Sequence, residues 1–350
     1  MRIDAQRDQL RCSTAIGQPE WDMFVDGHPE ATAYHAWGWR RVFEEAFGHE
    51  TVYVAALDGD DAVVGVLPTV VFRSWLFGRF MVSLPFVNYG GVLARTDRVK
   101  ALLLAAARDE AAARGCAHVE LRHLDPVYPS LPAKRHKVAM KLALAPSAAA
   151  EWERLDRKVR NQVRKAQKSD LDTVTGGPEL LNGFYKVFAT NMRDLGTPVY
   201  CRNFFEAVLS TFPERTRLTL IRHGNVAVAG ALTVRYRDTL EVPWASSLRS
   251  YRASCPNNLL YWTVIEHAIE SGCRTFDFGR STMGEGTYEF KRQWGAVASP
   301  VNWEYALLGG DALPDQSPSN PRFKQAIALW KRLPVTLTTL VGPSIVRSIP

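Results

Sequence analysis

The sequence predicts an α/β protein with mixed sheets, built from two copies of one structural unit. Two observations support this prediction. At 350 residues the chain exceeds the usual size of a single domain. One order of patterns, hairpin, strand, helix and strand, occurs in residues 51–122 and again in residues 218–278. The copies also agree in detail, because Val64-Gly-Val-Leu67 matches Ala229-Gly-Ala-Leu232, and Arg114–Leu121 matches Ser271–Phe278.

The first copy follows an aromatic helix. Apolar residues from Trp39 to Phe47 recur at helical spacing, and Gly48 ends the run. From Thr51 the period changes to that of strands, and an alanine- and leucine-rich helix is closed by Gly115. The predicted elements are a hairpin of Val52–Leu57 and Ala62–Phe72, a strand at Phe80–Leu84, a helix over 98–114 and a strand at Ala117–Arg122.

The second copy repeats that order. Its predicted elements are a hairpin of Leu218–Arg222 and Val226–Tyr236, a strand at Thr239–Trp244, a helix over Asn258–Ser271 and a strand at Thr275–Phe278. This is the order of the acyltransferase fold called GNAT. We therefore expect tandem GNAT-like domains over 1–150 and 151–310. Residues 311–350 are predicted to form a linker, rich in Gly, Pro, Asp and Ser over 309–322, and an amphipathic tail.

Composition and charge narrow the class of protein. Hydrophobic residues make up 46% of the chain, which is ample for buried cores, and the net charge of +7 favours an anionic partner. Five scattered cysteines without a CxxC pair suit a reducing cytoplasm. There is no apolar N-terminal signal and no run of about 18 apolar residues. We therefore expect a cytoplasmic protein that does not span a membrane.

The candidate pocket is the stretch from Thr275 to Ala296. A short aromatic strand is expected to break at Gly279 into a loop that carries Arg280 and Ser281, and Gly284 and Gly286 punctuate that loop. Glycines let backbone approach a ligand while the scaffold fixes position, so such a loop is typical of a pocket for a polar ligand.

Several side chains in or near this stretch suit acyl transfer, which needs a base, oxyanion donors and cations. Lys291 and Arg280 supply cations, although ordinary solvated charges are the alternative. Asp277 is a candidate base or a partner that orients Arg280, with a structural ion pair as the alternative. Tyr288 and Trp244 are candidate pocket walls, although core packing is favoured for Trp244.

A basic helix over Glu151–Lys168 is predicted to open the second domain. Trp152, Leu155, Val159, Val163 and Ala166 recur at helical spacing. The cations surround this helix instead of forming one stripe, which favours a solvated helix over a nucleic-acid interface. Arg160 and Arg164 share one face and could meet a phosphate. For the tail from Arg322, packing on the protein's own core is favoured over an amphipathic helix lying on a membrane.

The segment before the second unit's long predicted helix, where coenzyme A enzymes of this fold bind pyrophosphate, lacks their usual glycines. Those enzymes carry a glycine-containing loop whose N–H groups hold pyrophosphate at a helix N-terminus, whereas Ser247–Asn258 here contains no glycine. Arg249, Arg252 and the cap candidate Asn257 could hold another anion, with a plain helix start as the alternative. Arg193 and Tyr200 are weaker candidates, in a predicted loop over residues 191–200. There is no HExxH, P-loop or GxSxG motif, so no metal is expected.

The sequence resembles the FemA/FemB family of peptidoglycan-bridge aminoacyltransferases, and is similar in particular to the FemAB-like proteins associated with exosortase (PEP-CTERM) and exopolysaccharide systems. The resemblance covers most of the chain and is strongest in five segments of its second part: Lys158–Lys165, Asn191–Tyr200, Val242–Ser247, Cys255–Trp262, which contains Asn257 and Asn258, and Phe276–Gly295. The resemblance implies transfer of an acyl or aminoacyl group to an amine, and a lysine, here Lys291, that approaches the substrate.

One departure bears on the donor. FemA and FemB carry a long helical hairpin in the second domain, to which the family's binding of transfer RNA is attributed. Here only about 30 residues, 151–180, occupy that place. This departure disfavours aminoacyl-tRNA, which stays beside acyl-coenzyme A as one of the two candidate donors, and no tightly bound cofactor is expected. The acceptor is expected to be a phosphorylated or glycan-containing envelope or exopolysaccharide precursor. Peripheral contact with the inner membrane is an additional expectation. The alternative is a non-catalytic scaffold of an envelope-polysaccharide assembly.

Overall fold

A computed structural model of the chain describes residues 9–74, 77–310, 313–314 and 324–349. Its contacts divide into two units. The first runs to Arg135 and resumes at Pro300, whereas the second begins at His136, runs to Ser299 and includes residues 324–346. These limits differ from the predicted boundaries at 150/151 and 310/311. Most of the predicted linker, residues 311–312 and 315–322, lies outside the described residues.

The first unit is a mixed sheet with helices. Its helices are α1 (Gln18–Gly27), α2 (Trp39–Phe47) and α3 (Asp97–Ala113). Its strands are β1 (Arg11–Ser13), β2 (Glu50–Leu57), β3 (Val63–Ser74), β4 (Gly78–Val82), β5 (Leu93–Ala94), β6 (His118–His123), β7 (Ala133–Lys134) and β15 (Asn302–Leu307), numbered along the whole chain. The strand order is β1-β2-β3-β4-β6-β15-β7, with β5 beside β3. Only β4 and β6 are paired in parallel among the pairs that the structure describes in this sheet, and α3 crosses between them.

The second unit repeats this plan. Its strands are β8 (Lys137–Ala143), β9 (Asp172–Gly176), β10 (Thr216–His223), β11 (Val226–Tyr236), β12 (Thr239–Ser247), β13 (Thr275–Thr282) and β14 (Val297–Pro300). Its helices are α4 (Ala148–Arg154), α5 (Arg157–Gln167), α6 (Leu181–Leu195), α7 (Arg202–Thr211), α8 (Pro256–Glu270), α9 (Gly286–Gln293), α10 (Lys324–Trp330) and α11 (Val335–Val346). The order is β14-β8-β13-β12-β11-β10-β9, with β12 and β13 parallel.

The predicted order of elements is confirmed in both units. The aromatic helix α2 ends at Gly48, whose φ of 61° is the left-handed conformation that terminates helices at glycine. The apolar side chains of α3 meet β2, β3 and β6, and Thr96 caps the start of α3 by accepting from the N–H of Val99. The local patterns therefore form the elements that they predict.

The unit limits depend on two strands that the sequence analysis did not identify. β8 pairs antiparallel with β13, although it directly follows the first unit in the chain. β15 comes after the second unit but pairs antiparallel with β6 in the first sheet. The second sheet therefore includes β8 from the start of its own stretch of chain, whereas the first sheet takes β15 from beyond the second unit, and the contacts divide at 135/136.

The predicted basic helix is two helices, not one. Leu155 adopts an extended backbone, which ends α4, and the carboxylate of Asp156 accepts from the N–H of Lys158 as the N-cap of α5. The Asp side chain accepts from an N–H that would bond to the preceding turn in a continuous helix. A new helix therefore begins there. Among the described residues, no helix has both the length and the apolarity to cross a membrane.

Candidate active site

The sheet of the second unit opens between its two parallel strands. β12 and β13 are paired only from Thr239 opposite Thr275 to Glu241 opposite Asp277. Beyond this point β12 continues to Ser247 against β11, and β13 continues to Thr282 against β8. The strands therefore part after a pair of buried carboxylates, Glu241 and Asp277, which are 6% and 1% exposed.

The prediction of a loop from Gly279 onward is wrong in part. β13 does not end at Gly279: its pairing with β8 shifts register between Asp277 and Arg280 and then resumes through Thr282. Gly279 has a φ of 71°, and its N–H donates to Oδ1 of Asp277 at 2.7 Å. A glycine in this conformation permits a bulge that re-aims the following side chains. Only residues 283–285 form a turn before α9 begins.

Lys291 is held by α9 against this bulge. Phe290 and Trp294, on either side of it, pack on Tyr261 of α8. The Lys291 Nζ donates to the carbonyl oxygens of Gly279 at 3.3 Å and of Arg280 at 2.8 Å. Its side chain is buried, with 8% exposed. An ammonium has three protons, so two bonds to carbonyls leave it able to donate one more.

Burial changes the acidity of this ammonium. Desolvation by burial, together with the neighbouring Arg280, lowers the pKa of Lys291 from 10.5 to about 8 against the opposing effects of Asp277 and Glu241. The group therefore remains mainly charged at neutral pH but titrates near the physiological range. A buried lysine whose pKa is shifted by desolvation and by neighbouring charges is a candidate functional residue.

Asp277 is anchored on both oxygens. Besides accepting from Gly279, its Oδ2 lies 3.8 Å from the Nζ of Lys141 on β8. These contacts make Asp277 the residue that positions the bulge, and its charge supports the nearby Lys291 ammonium.

Two cations of β8 were missed by the sequence analysis. Lys141 faces Asp277, and Lys137 faces Thr282 and donates to its Oγ1 at 2.6 Å. Burial lowers the pKa of Lys137. The alternation Lys137-Val-Ala-Met-Lys141 is the signal that could have revealed a strand with apolar residues on one face and cations on the other.

Ser281 contributes a buried hydroxyl. It is 4% exposed, and its Oγ has no hydrogen-bond partner within the part of the chain that the structure describes. A buried hydroxyl without a partner is costly in a finished core. It is therefore a good candidate to bind a ligand atom.

The predicted aromatic residues lie in different surroundings. Tyr288 is half-buried and packs against the core that contains Trp294. Trp244 is 5% exposed and makes edge contacts with Phe204 and Phe205 of α7. Tyr200 stacks with Phe188 of α6. The described ring contacts of Trp244 and Tyr200 therefore belong to the packing of α6 and α7 on the sheet.

The predicted cations of the basic segment engage local partners. Arg160 forms an ion pair with Glu153 at 3.0 Å, and the guanidinium of Arg164 lies 5.3 Å from the ring of Trp152. Arg193 pairs with Asp194 and donates to the carbonyl of Leu333.

The start of α5 lines an open cavity of about 500 Å³. Its lining residues are Asp156, Arg157, Lys158, Asn161, Gln162 and Lys165. Asn258 at the start of α8 donates to Gln162 at 3.1 Å, which links the beginnings of these two helices. Asn257, beside it, is partly exposed. Three cations and two helix starts therefore adjoin here.

The start of α8 does not provide the pyrophosphate cradle of coenzyme A enzymes. Cys255 adopts a left-handed conformation with φ 54°, and Pro256 has no N–H. The N–H groups of Asn258 and Leu259 both donate to the carbonyl of Cys255. Only Asn257 retains a backbone donor among these residues, so the usual binding mode of pyrophosphate on a glycine loop does not fit.

The corresponding opening of the first unit is filled by its own chain. Beyond the paired residues of β4 and β6, the N–H of Gly90 donates to the carbonyl of Arg122 at 3.1 Å, and the N–H of Val92 donates to the Nε2 of His123 at 3.0 Å. All residues from 81 to 94 are buried. The polar side chains beside this opening bond to each other: Arg122 pairs with Glu120, and His123 pairs with Glu304.

Comparisons with known proteins agree with this architecture. Residues 154–292 match the model of the acetyltransferase (GNAT) domain family, and no curated protein matches the sequence. The chain resembles the crystal structure of FemX, with a TM-score of 0.63 and 14% identity, covering 84% of this chain and 97% of that one.

Two further solved structures share the fold. One is the C-terminal domain of a putative lysylphosphatidylglycerol synthetase from Agrobacterium fabrum, with a TM-score of 0.58, 11% identity, and 95% and 98% of the two chains covered. The other is a tandem GNAT protein from the clavulanic acid biosynthesis pathway, with a TM-score of 0.54, 13% identity, and 87% and 100% covered. The predicted tandem GNAT-like fold is thereby confirmed. No group of residues suited to a metal ion occurs in the described parts of the chain.

Proposed function

We propose that this protein is an N-acyltransferase that moves an acyl or aminoacyl group to an amine of a cell-envelope or exopolysaccharide precursor. The match of residues 154–292 to a GNAT acetyltransferase domain supports acyl transfer as the reaction class. The precursor class is supported by the FemAB-like resemblance of the sequence, including its likeness to exosortase-associated proteins. The reaction is assigned to the second unit, because the opening of the first is filled.

The observation that carries this proposal is the buried Lys291 at the parting of β12 and β13. Its ammonium is fixed by two carbonyls and has one donor left. A fixed cation in a desolvated site stabilises negative charge that develops in a transition state more strongly than water does. Lys291 would thus donate to the carbonyl oxygen of the acyl donor as that oxygen becomes an oxyanion.

The reaction requires no covalent enzyme intermediate. The nitrogen lone pair of the acceptor attacks the donor carbonyl carbon, and a C–N bond forms. The C–S bond of a thioester or the C–O bond of an aminoacyl ester then breaks. The leaving thiol or hydroxyl takes up the proton that the amine loses. The enzyme contributes alignment of the two substrates and stabilisation of the oxyanion.

The charges around the opening favour an acceptor substrate that carries an anionic group. Lys137 and Lys141 lie along β8 beside Arg280 and Lys291, against the carboxylates of Asp277 and Glu241. A phosphate or carboxylate on the precursor would complement this set. The Oγ of Ser281 would supply a further hydrogen bond.

Two donors remain in the proposal. A GNAT domain implies acyl-coenzyme A, but the start of α8 lacks the backbone donors for its pyrophosphate. Aminoacyl-tRNA would instead place its terminal phosphates near the cations that line the cavity at α5, Arg157, Lys158 and Lys165. The long helical hairpin of FemA and FemB has no counterpart in α4 and α5, so any such contact would be small.

The test is mass spectrometry of the purified protein with acetyl-coenzyme A or charged transfer RNA and an envelope-precursor extract. We expect an acylated precursor with the wild type, and a loss of at least 100-fold in rate with Lys291→Met, which keeps the volume of the side chain and removes its charge. Arg292→Met, an exposed neighbour on α9, is the matched control and should retain activity. Unchanged turnover in Lys291→Met would refute the role of Lys291. Precursor binding without turnover of any donor by the wild type would favour the non-catalytic scaffold.

A further inference from the structure

The C-terminal helix α11 packs on the second unit through the face that carries a glycine, and its leucines lie on the opposite face. Its buried residues are Thr338, Gly342 and Val346, spaced four apart on one face. A Cβ on Gly342 would lie 3.0 Å from the backbone nitrogen of Val199. This close approach makes a small residue necessary at the contact and fixes which side of α11 faces the protein.

The opposite side of α11 exposes large apolar residues. Leu340 is 76% exposed, and Leu337 and Val341 are each 40% exposed. Their spacing of three and four residues places them on one face of the helix. Leu329 of α10 is a further exposed leucine, at 63%. A helix that packs on a folded domain normally buries its leucines, so this orientation leaves an apolar surface for another contact.

The surface is held in place at its base. Arg193 of α6 donates to the carbonyl of Leu333, in the turn between α10 and α11, at 2.9 Å. Gly196 at the end of α6 leaves room for Ile327 of α10, whose Cγ2 would lie 2.6 Å from a Cβ there. The exposed leucines therefore belong to a segment that is anchored to the second unit.

The charge of this segment identifies the kind of partner. Residues 316–350 contain five cations, Arg322, Lys324, Lys331, Arg332 and Arg347, and no Asp or Glu. Lys331 and Arg332 are exposed and lie in the chain between the two helices. Exposed leucines beside cations, in a segment without acidic residues, match a surface with anionic groups on its outside and an apolar layer beneath them. That is the interface of a bilayer that contains anionic phospholipid.

We propose that α10 and α11 form a docking surface for an anionic membrane. Leu337, Leu340 and Val341 enter the boundary between headgroups and acyl chains, while Lys331 and Arg332 meet the lipid phosphates. This inference goes beyond the proposed transferase activity and does not depend on it. It would bring the protein to lipid-linked substrates without a membrane-spanning helix.

The test is vesicle flotation with the full chain. The vesicles contain phosphatidylcholine alone or with 30% phosphatidylglycerol. We expect binding to the anionic vesicles that weakens as salt is raised. A triple variant, Leu337→Ser, Leu340→Ser and Val341→Thr, should lose at least tenfold in partition coefficient. Lys331→Gln with Arg332→Gln should reduce binding to anionic vesicles by a similar factor. Met23→Ser, which removes another exposed apolar side chain in the first unit, is the control and should bind as the wild type does.

Several outcomes would overturn the proposal. One is the absence of wild-type binding to anionic vesicles, and another is equal binding by the triple variant. Size-exclusion chromatography with light scattering tests the alternative of a second copy of the chain: a wild-type dimer that the triple variant converts to a monomer would assign this face to self-association. The substituted residues are exposed, and an unchanged melting temperature shows that the variants fold.

Discussion

The burial of the Lys291 ammonium should appear as a pH-dependent penalty on the stability of the second unit. Its pKa falls from 10.5 in the unfolded chain to about 8 in the folded protein. Between these values the unfolded state binds more protons than the folded state, so the free energy of unfolding rises with pH. Integrating the linkage relation with these two pKa values, the wild type should gain about 2 kcal/mol from this group between pH 7 and pH 9.5.

Lys291→Met isolates this contribution, because methionine keeps the aliphatic volume and does not titrate. Urea unfolding followed by tryptophan fluorescence at both pH values gives the difference between wild type and variant, in which other titrating groups cancel. We expect the wild type to gain about 2 kcal/mol relative to Lys291→Met as the pH is raised. The same comparison with Arg292→Met should show no change, because a guanidinium stays charged over this range. If the free energy of unfolding of the wild type relative to Lys291→Met stays constant or falls as the pH is raised, the ammonium is not buried at the sheet opening.

Three further predictions concern the site and the two cores. The transfer rate should fall as pH rises through about 8, because the Lys291 ammonium loses its charge there; a rate that keeps rising to pH 9.5 would instead indicate a neutral amine acting as a base. Glu304→Gln should lower the free energy of unfolding of the first unit by about 1–3 kcal/mol in urea titrations. Its carboxylate bonds to His123 and to the N–H groups of Val127 and Tyr128, and an unchanged midpoint would contradict this. Trp244→Ala should cost about 3–5 kcal/mol by the same method, because it empties the contact with α7, whereas a loss of activity at full stability would return Trp244 to the pocket wall.

Much of the fold could be predicted because its signals are local. Alternation marks the hairpins of both units, and glycines at positions 48, 115 and 272 mark helix ends. The repeat of hairpin, strand, helix and strand then led to the tandem fold. Lys291 could be selected as a candidate for the same reason, since it stands in a recognisable aromatic and charged motif beside a strand.

Other features depend on pairing between distant segments. The bulge at Gly279 exists because β8 resumes its pairing with β13 after the shift, and β8 lies more than a hundred residues earlier in the chain. The cations Lys137 and Lys141 join the site only through that pairing. Since local patterns do not encode which strands become neighbours, the predicted strand is too short and neither lysine could be assigned to the site from the sequence.

The sequence by itself determined the order of elements, the duplication, the excess of positive charge and the candidate lysine, because each is written in local periodicity or residue type. The tertiary structure alone decided which unit keeps an open sheet. In the first unit residues 83–92 fill the opening between β4 and β6, and in the second unit β12 and β13 part with Lys291 at their edge. It also decided that α11 buries Gly342 and exposes Leu340. Both outcomes follow from close packing, in which the space left by neighbouring segments selects the side of an element that can approach.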